Sequence, residues 1–506
     1  MTRFDVIIIG AGVVGCATAR ALSRHALNIL VIEQGADVSI GASKANSGIL
    51  HAGYDCKPNT KKAALNLRGL SLYQHLLQEL HIPHRFNGSL VVSHSQDGKQ
   101  QLEKLYAQGM ANGVSNLALL NAAQTHHLEP QLHADINASL HAPTAGIISP
   151  YEATVAFAES AALNKVQFKL GTCVTGIAIT PPPVCSTALG SNECFVLTTT
   201  AGYFHAQVVI NTAGVASAAI AQLLQETAEV GALPTALQPQ RGQYYVLDNT
   251  QQALITRTLF QLPTEKGKGV LVAPTVDGNI LIGPTAESIT DPLDTSTTKE
   301  GLREALDKVR YTLGNVPISD RITAFAGVRA KSNEGDFIIE EVPCGFIHAI
   351  GIDSPGLTAA PAIAEALAEK ALDMIQPMPN RNFIAERPPL YRMRDLPPDV
   401  QNSYIANNPA YGNVICRCEN ITQGEIQEAM RRFDQLQRQQ YFPSQPTKGT
   451  LPCNFDALKR RTRVQMGRCQ GGFCTLRLME LISRNYQIPE AQVSKNGTNS
   501  ETEALT

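Results

Sequence analysis

The stretch FDVIIIGAGVVGCATARALSRHALNILVIE, residues 4–33, decides the fold of the N-terminal part of the chain. Its pattern predicts a buried β-strand, a G-x-G-x-x-G turn, an apolar-faced helix and a second strand. The turn needs a positive φ at Gly10, bare backbone for a pyrophosphate at Gly12, and close helix–strand packing at Gly15. This unit favours a dinucleotide-binding site over a purely structural glycine turn.

Glu33 ends the second predicted strand, about 20 residues beyond the glycine turn. Its carboxylate is placed to accept hydrogen bonds from a ribose hydroxyl, and its charge would repel a 2′-phosphate. The helix that follows the turn directs its N-terminus at the phosphates. The sequence therefore predicts a dinucleotide that is not NADP-like.

The composition excludes several classes of function. The chain has 506 residues, of which 43% are hydrophobic and 17% are charged, and its net charge is −2. That length suggests two to four domains, and that charge gives no reason to expect nucleic-acid binding. The chain opens directly into the first predicted strand, and no apolar run approaches roughly 18 residues. We therefore expect no transmembrane segment and a cytoplasmic protein, with at most peripheral contact at the inner face of the membrane.

The loop GASKANSGILHAGYD at 41–55 has the composition of backbone wrapped around a ligand. It is small, polar and rich in glycine, unlike a core element. Four of its side chains can face a ring system: Ser43, Asn46, Ser47 and His51.

Farther along, strands alternate with helices, which predicts an α/β fold with a mostly parallel, helix-covered sheet. Residues 232–334 differ, because short alternating strands and an Asp277-Gly278 hairpin signal predict an inserted antiparallel sheet that covers the substrate.

Cysteines crowd into the C-terminal part of the chain. Four of them form two close pairs, Cys416 with Cys418 and Cys469 with Cys474. Two such pairs can hold a 2Fe-2S cluster or a zinc ion. The last histidine is His348 and a C-x-C spacing is less usual for zinc, so iron–sulfur is favoured. Cys453, between the pairs, is an alternative ligand. The other six cysteines are interpreted as ordinary thiols.

The same segment is basic. Between residues 416 and 480, Lys and Arg outnumber Asp and Glu by eleven to six, and many lie in KRRTR at 459–463. Such a belt is expected to stabilise an anionic cluster or to dock an acidic partner.

Several motifs together resemble the D-amino-acid-oxidase-like flavoprotein superfamily, namely the opening unit, NSGILHAGYD, LVAPTVDGNILIGPTA, AGVRAKSNEGDFII and GIDSPGLTAAPAIA. Within it, the chain is most similar to the FAD-dependent glycerol-3-phosphate dehydrogenase and oxidase group, and less closely to the L-2-hydroxyglutarate dehydrogenases. CRCENITQGEI with GRCQGGFC resembles a bacterioferritin-associated-ferredoxin-like 2Fe-2S domain, although here the gap between the cysteine pairs is longer than usual.

The resemblance implies non-covalently bound FAD. The residues it places at the cofactor are Gly10, Gly12, Gly15, Glu33, Ser43, Asn46, Val174, Gly214, Gly351, Asp353, Gly356 and Leu357. It implies that His51 is the active-site base with Ser47 beside it, and that Arg329 grips the anionic end of the substrate. Lys268 resembles a substrate-proximal lysine, with Lys266 leaving the register open, and Ser354 resembles a serine over the flavin.

Two of these roles have structural alternatives. His51 could serve only to hydrogen-bond its own loop, and Arg329 could form an ion pair with Glu334 or Asp336. The chemistry favours the catalytic roles, because an imidazole titrates near neutral pH and a guanidinium binds phosphate or carboxylate in bidentate fashion.

The resulting hypothesis is an FAD-dependent dehydrogenase of a small anionic secondary alcohol. Glycerol 3-phosphate, oxidised to dihydroxyacetone phosphate, is the first choice, and L-2-hydroxyglutarate or another 2-hydroxy acid is the second. An amino-acid or opine dehydrogenase subunit is a further alternative, and a non-catalytic electron-transfer or iron–sulfur delivery subunit is the last. Electrons are expected to pass through the cluster to a quinone, a partner subunit or oxygen.

The expected domains follow from these motifs. We expect a discontinuous FAD-binding domain (1–80, 146–231 and 335–375), a substrate domain (81–145 and 232–334), an extended linker (376–412), a ferredoxin-like 2Fe-2S domain (413–486) and a disordered tail (487–506).

Overall fold

The computed structural model describes residues 3–179, 195–225, 237–263, 269–342, 345–437, 451–497 and 500–501. Its α-helices are α1 (Val13–Leu22), α2 (Lys61–Glu79), α3 (Gln96–Asn112), α4 (Ala122–Leu128), α5 (Pro150–Leu163), α6 (Ser217–Gln225), α7 (Lys299–Val309), α8 (Gly356–Ile375), α9 (Pro398–Asn407), α10 (Gln423–Gln437), α11 (Phe455–Thr462) and α12 (Thr475–Tyr486).

Its strands are β1 (Arg3–Ile9), β2 (Ile29–Ile32), β3 (Ile49–Leu50), β4 (His84–Arg85), β5 (Ser89–Ser93), β6 (Ala118–Asn121), β7 (Ala138–Ala142), β8 (Gly146–Ile148), β9 (Gln167–Lys169), β10 (Val174–Ile179), β11 (Phe195–Thr199), β12 (Gly202–Asn211), β13 (Leu237–Leu247), β14 (Thr258–Gln261), β15 (Leu271–Pro274), β16 (Ile280–Gly283), β17 (Glu287–Ser288), β18 (Arg321–Ser332), β19 (Ile338–Val342), β20 (Phe346–Ile350), β21 (Val414–Cys416) and β22 (Ile421–Thr422).

The opening strand lies inside an eight-stranded sheet, in the order β10-β11-β12-β1-β2-β9, with β20 paired to β12 and β19 to β20. The pairs that β1 forms with β12 and β2 are parallel, as are those of β2 with β9 and β12 with β20. Helices α1, α5 and α8 cover one face, with Val6, Ile8, Val31 and Phe157 in their shared core. The predicted α/β fold class is confirmed.

A second sheet of nine strands runs in the order β17-β13-β16-β15-β14-β5-β7-β6, with β18 paired along β13. The hairpin predicted around Asp277 joins β15 to β16. Almost all of the sheet is antiparallel as expected, but β14 pairs with β5 in parallel. This one parallel pair unites strands from two separate stretches of the chain.

Residues 413–497, called here the C-terminal module, contain β21, β22 and helices α10 to α12. Their buried side chains, among them Phe433, Leu458 and Ile482, belong to the same core cluster as Val6 and Ile8 of β1. The module is therefore packed directly onto the first sheet and its helices.

Two expectations about the C-terminal part differ from the structure. The segment 376–412, expected to be an extended linker, contains helix α9. Within the segment 487–506, for which we expect disorder, Glu490–Gln492 form a 3-10 helix and Ser494 pairs with Glu501, while residues 498–499 and 502–506 lie outside the described residues. Val493 is 1% exposed. Burial of this apolar side chain holds residues 490–494 in place, although the stretch is mostly polar.

Across the described ranges, none of the helices combines the length and the apolar character needed to cross a bilayer.

Candidate active site and cysteine cluster

The predicted glycine turn connects β1 to α1 with the expected backbone. Gly10 has φ +101°, and a Cβ at this position would lie 2.7 Å from the carbonyl oxygen of Thr212. A Cβ on Gly15 would lie 2.0 Å from the Gly10 carbonyl oxygen, so Gly15 permits the close contact between helix and strand. At Gly12 the nearest atom, the Ser43 hydroxyl oxygen, is 3.2 Å from such a Cβ.

The Glu33 carboxylate accepts hydrogen bonds from the backbone of both neighbouring loops. One oxygen accepts from the Ala11 amide at 2.8 Å and the other from the Gly35 amide at 2.7 Å. Burial raises its pKa, although these backbone hydrogen bonds oppose the shift. Glu33 is thus fixed at the end of β2, where the carboxyl ends of the parallel strands form a ligand crevice.

A cavity of about 770 Å³ extends from this crevice toward the second sheet. That volume falls within the roughly 300–1,000 Å³ of ligand-binding cavities. The cavity is lined by most of the residues predicted to bind the dinucleotide: Gly10, Gly12, Glu33, Ser43, Asn46, Val174, Gly214, Asp353, Gly356 and Leu357. It is also lined by Ser47, His51, Arg329 and Ser354.

Two predicted site residues, Gly15 and Gly351, lie outside the cavity wall, and a third is not among the described residues. Gly15 packs α1 against the glycine turn, as described above. Gly351 lies outside the cavity wall, and a Cβ on it would come 2.5 Å from Cβ of Ser332, so its role is close packing of the backbone. Lys268 lies outside the described residues, as does Lys266.

His51 and Ser354 are brought together inside the cavity, with 3.5 Å between Nε2 and the serine oxygen. The backbone of His51 is anchored on both sides, because its amide donates to the Thr358 hydroxyl at 2.9 Å and its carbonyl accepts from Asn66 at 3.0 Å. The imidazole lies 5.9 Å from the ring of Phe260, measured between centroids. These two bonds use the backbone of His51, and the residue lines the cavity.

Tyr244 is a site residue that the sequence analysis missed. Its hydroxyl lies 3.3 Å from that of Ser47, and its ring stacks on Phe325 with 4.7 Å between centroids. Tyr244 is only 2% exposed and lines the same cavity. It therefore fixes Ser47 and adds an aromatic wall.

Arg329 reaches the cavity from β18. Its register partner on β13 is Gln240, whose side-chain oxygen accepts from the guanidinium at 3.1 Å. A Cβ on Gly242 would lie 2.8 Å from the guanidinium, and Gly242 faces Gly327 across the strands. Gly242 therefore leaves the space that the guanidinium occupies, whereas Gly327 lets the strand approach the carbonyl of Ala45.

The alternative ion pair of Arg329 is not formed. The Asp336 carboxylate accepts from the backbone amides of Lys61 and Lys62, at 2.8 and 2.9 Å. Within the described ranges, the Arg329 guanidinium has no carboxylate within ion-pair distance. It is therefore a half-buried cation directed at the cavity.

The four paired cysteines converge between β21 and α12. The Cys418 sulfur lies 3.8 Å from that of Cys416 and 3.7 Å from that of Cys469, and Cys474 hydrogen-bonds with Cys416. Among the described residues, no three ligand-type side chains surround a common point as they do around a bound metal. The structure thus shows clustered thiols, one of which, Cys469, is exposed.

Cys453 has different neighbours. Its sulfur contacts the carbonyl of Asn454 at 3.9 Å. Burial raises its pKa, and the charged groups acting on it are Arg461, Asp37, Asp434 and Arg460. The charged groups that act on this thiol are thus those of the arginine–aspartate contacts and Asp434.

The basic KRRTR belt has a different role from either of those expected. Arg460 and Arg461 both bind Asp37 at 2.7 Å, and Arg463 binds Asp277 at 2.8 Å and Glu419 at 2.9 Å. These three arginines are almost fully buried. Their charges hold the module against the rest of the chain, so they are not available to an external partner.

Both the sequence and the fold of this chain match those of known proteins. The sequence pattern of the FAD dependent oxidoreductase family (DAO) matches residues 5–370. A glycerol 3-phosphate dehydrogenase of Caloramator mitchellensis is 38% identical over 97% of this chain and 96% of its own length. A mitochondrial L-2-hydroxyglutarate dehydrogenase of Arabidopsis thaliana is 27% identical over 73% of this chain and 84% of its own length.

Among solved structures, the dithionite-reduced L-alpha-glycerophosphate oxidase of Mycoplasma pneumoniae with FAD bound superimposes with a TM-score of 0.69. It is 30% identical and covers 76% of this chain and 99% of its own. The family pattern over 5–370 includes the strands of both large sheets, and it makes this chain an FAD-dependent oxidoreductase of the DAO family, similar to glycerol 3-phosphate dehydrogenases and oxidases.

Proposed function

We propose that the protein oxidises glycerol 3-phosphate to dihydroxyacetone phosphate. One observation carries the proposal: the Arg329 guanidinium and the His51–Ser354 pair line a single cavity next to the dinucleotide turn. The similarity to a glycerol 3-phosphate dehydrogenase, which extends over 97% of the chain, supports the same substrate.

The residues present fit FAD. The Gly10 turn leaves no room for a side chain, Gly12 keeps the start of α1 open, and the half-buried Glu33 retains oxygen lone pairs for a ribose. At the other end of the cavity, residues 353–357 lead into α8, whose N-terminal dipole favours negative charge at that place.

Each side chain that lines the cavity has its own role in the proposed reaction. When bound, FAD supplies the acceptor for the hydride from the alcohol carbon. The His51 imidazole takes the hydroxyl proton, and Ser354 orients the imidazole through the contact at 3.5 Å. Arg329 binds the phosphate, and Gln240 holds the guanidinium in position. Ser47 and Tyr244 close the remaining wall.

The proposal is tested by anaerobic visible spectroscopy of the purified protein. Adding glycerol 3-phosphate should bleach the flavin band, whereas glycerol, which lacks the phosphate, should act only at far higher concentration. If glycerol 3-phosphate leaves the band unchanged, the proposed substrate is wrong.

Alternative substrates are separated by the same assay. L-2-Hydroxyglutarate also offers an anion to Arg329, and relatives with that name match 73% of this chain. An amine would favour an acidic or aromatic wall; Asp353 already binds Lys62 at 2.6 Å, whereas Tyr244 and Phe260 do line the cavity, so secondary amino acids belong in the same assay. A purely electron-transferring subunit would show no bleaching with any alcohol, hydroxy acid or amine.

We further propose that Cys416, Cys418, Cys469 and Cys474 hold a 2Fe-2S cluster. Four clustered cysteine sulfurs, with no histidine later in the sequence than His348, support this assignment. Zinc is the alternative metal. A cluster held there would provide a one-electron carrier between the active site and an acceptor. Metal and sulfide analysis of protein purified under argon distinguishes the two.

We place the electron acceptor at the exposed side of Cys469. Phe473 and Leu476 are 44% and 73% exposed there, and Arg417 and Arg477 both stack on the Phe473 ring. Exposed apolar and cationic groups suit a redox protein with an acidic surface.

Arg477→Glu tests this placement, with Arg484→Glu as the control on the same helix. With rubredoxin as an acidic one-electron acceptor at low salt, we expect reduction to slow about tenfold in the first variant only. Equal rates in both variants, or slowing with a soluble quinone instead, would contradict the placement.

A further inference from the structure

The end of the C-terminal module forms part of the wall of the cofactor cavity. Residues 494–497, called here the C-terminal turn, follow the last 3-10 helix, and Asn496 lines the cavity together with Gly12, Glu33 and Ser43. This segment is 461 or more positions from Glu33 in sequence. The chain therefore closes the dinucleotide end of its cavity with its own C-terminal residues.

Backbone hydrogen bonds hold the C-terminal turn on helix α11. The Phe455 amide donates to the Ser494 carbonyl at 3.3 Å, and the Asp456 amide donates to the Lys495 carbonyl at 2.9 Å. Ser500 closes the turn, since its hydroxyl accepts from the Asn496 amide at 3.0 Å. The position of the turn is thus set by α11.

Helix α11 is in turn fixed to the loop that follows Glu33. Arg461 binds both oxygens of Asp37, at 2.7 and 2.9 Å, and Arg460 binds one of them at 2.7 Å. The Asp37 side chain is 0% exposed. A buried carboxylate with three charged hydrogen bonds leaves little freedom for this loop.

The C-terminal turn also contacts this loop directly. Gly497 has φ +127°, and a Cβ on it would lie 2.7 Å from Cβ of Ala36. Gly497 is therefore the residue that lets the turn lie against the loop beside Glu33.

Cations gather at the same end of the cavity. Burial lowers the pKa of Lys44, and the nearby Arg460, Lys459 and Lys495 lower it further, while Asp456 opposes them. Lys44 itself lines the cavity beside Ser43. Such a set of positive charges suits a pyrophosphate that lies partly covered by the turn.

We infer that the C-terminal turn retains FAD, so that the module is a structural component of the flavin site. The FAD-bound Mycoplasma pneumoniae structure covers 76% of this chain and 99% of its own, so a flavin site of this family can be complete over that shared part. In this chain the module adds a cover, and the cover slows the release of FAD. The inference requires only that FAD binds, and does not depend on the substrate or on the cluster.

The first test removes residues 494–506 from the otherwise complete chain. FAD release is followed by the rise in flavin fluorescence after dilution, and bound FAD is quantified per chain. We expect FAD to be released about tenfold faster than from the wild type. With unchanged association, this corresponds to a loss of about 1.4 kcal/mol of binding free energy. Release at the wild-type rate would overturn the inference.

A second, subtler test uses a matched pair of glycine variants, which decides the question if the truncated chain is unstable. In Gly497→Ala, the new Cβ pushes the turn away from Ala36. In Gly202→Ala, a residue with φ +110° acquires a Cβ with nothing within 4 Å, so only backbone strain is added. We expect faster FAD release in Gly497→Ala alone, and equal release rates in the two variants would contradict the inference.

Discussion

The Nε2 atom of His51 lies 3.5 Å from the hydroxyl oxygen of Ser354, although 303 positions separate the two residues in sequence. His51 directly follows β3, and Ser354 lies in the connection between β20 and α8. The two meet because Thr358 in the first turn of α8 accepts from the His51 amide and donates to the Ile49 carbonyl, which holds the end of β3 against the start of α8. A hydroxyl at this place can hold the imidazole in one orientation.

Replacement of His51 tests its role as the base. We expect His51→Ala to lower kcat with glycerol 3-phosphate by about 10²–10⁴-fold, because a positioned general base contributes this much. His75→Ala, at an exposed position on α2, serves as the control. Steady-state assays with measured FAD content give the comparison, and unchanged turnover in His51→Ala would remove it from the mechanism.

Arg329 is expected to act in substrate binding. Because Arg329→Gln removes a charged hydrogen-bond donor worth about 1.5–3 kcal/mol, KM should rise roughly 10–150-fold. Arg329→Lys should recover only part of the affinity, since an ammonium does not bind phosphate in bidentate geometry. Arg321→Gln changes an exposed arginine of the same strand and should leave KM as it is. A loss of kcat with KM unchanged would argue against a binding role.

Asp277 is expected to be a large contributor to stability. It binds Arg392 at 2.5 Å and Arg463 at 2.8 Å, and its side chain is 2% exposed. Because Asp277→Asn leaves two buried guanidinium groups with less counter-charge, it should cost about 3–5 kcal/mol. Asp395→Asn, whose carboxylate is 63% exposed beside Arg394, should cost about 1 kcal/mol or less. Urea denaturation of both variants measures the difference, and equal midpoints would refute it.

Acid should weaken the attachment of the C-terminal module. Burial alone would raise the pKa of Asp37, but Arg461 and Arg460 outweigh it and hold the pKa below its usual value. A carboxylate with a lowered pKa stabilises the fold above its unfolded pKa, about 4, and this contribution is lost as the pH falls toward the folded pKa.

The difference between wild type and Asp37→Asn measures this contribution directly. Their unfolding free energies should differ most near pH 6 and should converge as the pH falls from about 4, the unfolded pKa, toward the lower folded pKa of Asp37. A constant difference from pH 6 to pH 3 would show that the Asp37 charge contributes nothing.

Two cysteine variants test whether the cluster of four, and not Cys453, binds the iron. Cys469→Ser removes a thiol 3.7 Å from Cys418, and we expect loss of protein-bound iron and of the broad visible absorbance, with FAD retained. Cys453→Ser alters a buried thiol among Asp37, Arg460 and Arg461, and its iron content should equal that of wild type. Iron lost equally from both would indicate that the cluster of four is incorrectly assigned.

Local patterns were sufficient for much of the fold. The glycine turn with its flanking strands and helix, and the hairpin at Asp277, follow directly from apolar periodicity and turn residues, because these elements are specified within a few residues. The parallel pairing of β14 with β5 could not be predicted in the same way, since it joins stretches about 170 residues apart whose register depends on tertiary packing.

Only part of the candidate site could be predicted from the sequence, for the same reason. His51 and Ser354 each lie in a distinctive loop, whereas Tyr244 lies in an ordinary-looking strand. A signal did exist, because Gln240, Gly242 and Tyr244 alternate along one face of β13, and a polar–glycine–aromatic face is unusual for a core strand. The burial of Arg460, Arg461 and Arg463 had no local signal, since their partners Asp37 and Asp277 come from other parts of the chain.

The buried arginine–carboxylate contacts also limit how this protein can be divided. A chain ending near residue 412 would leave Asp37 and Glu159 in an apolar surface without most of their counter-charges, because Arg461 and Arg432 would be absent. A separately produced module would in turn carry uncompensated guanidinium groups on its inner face. The two parts should therefore unfold together in one cooperative transition. The cysteine cluster is accordingly expected to keep a fixed position relative to the flavin site, unlike a domain that moves on a flexible linker.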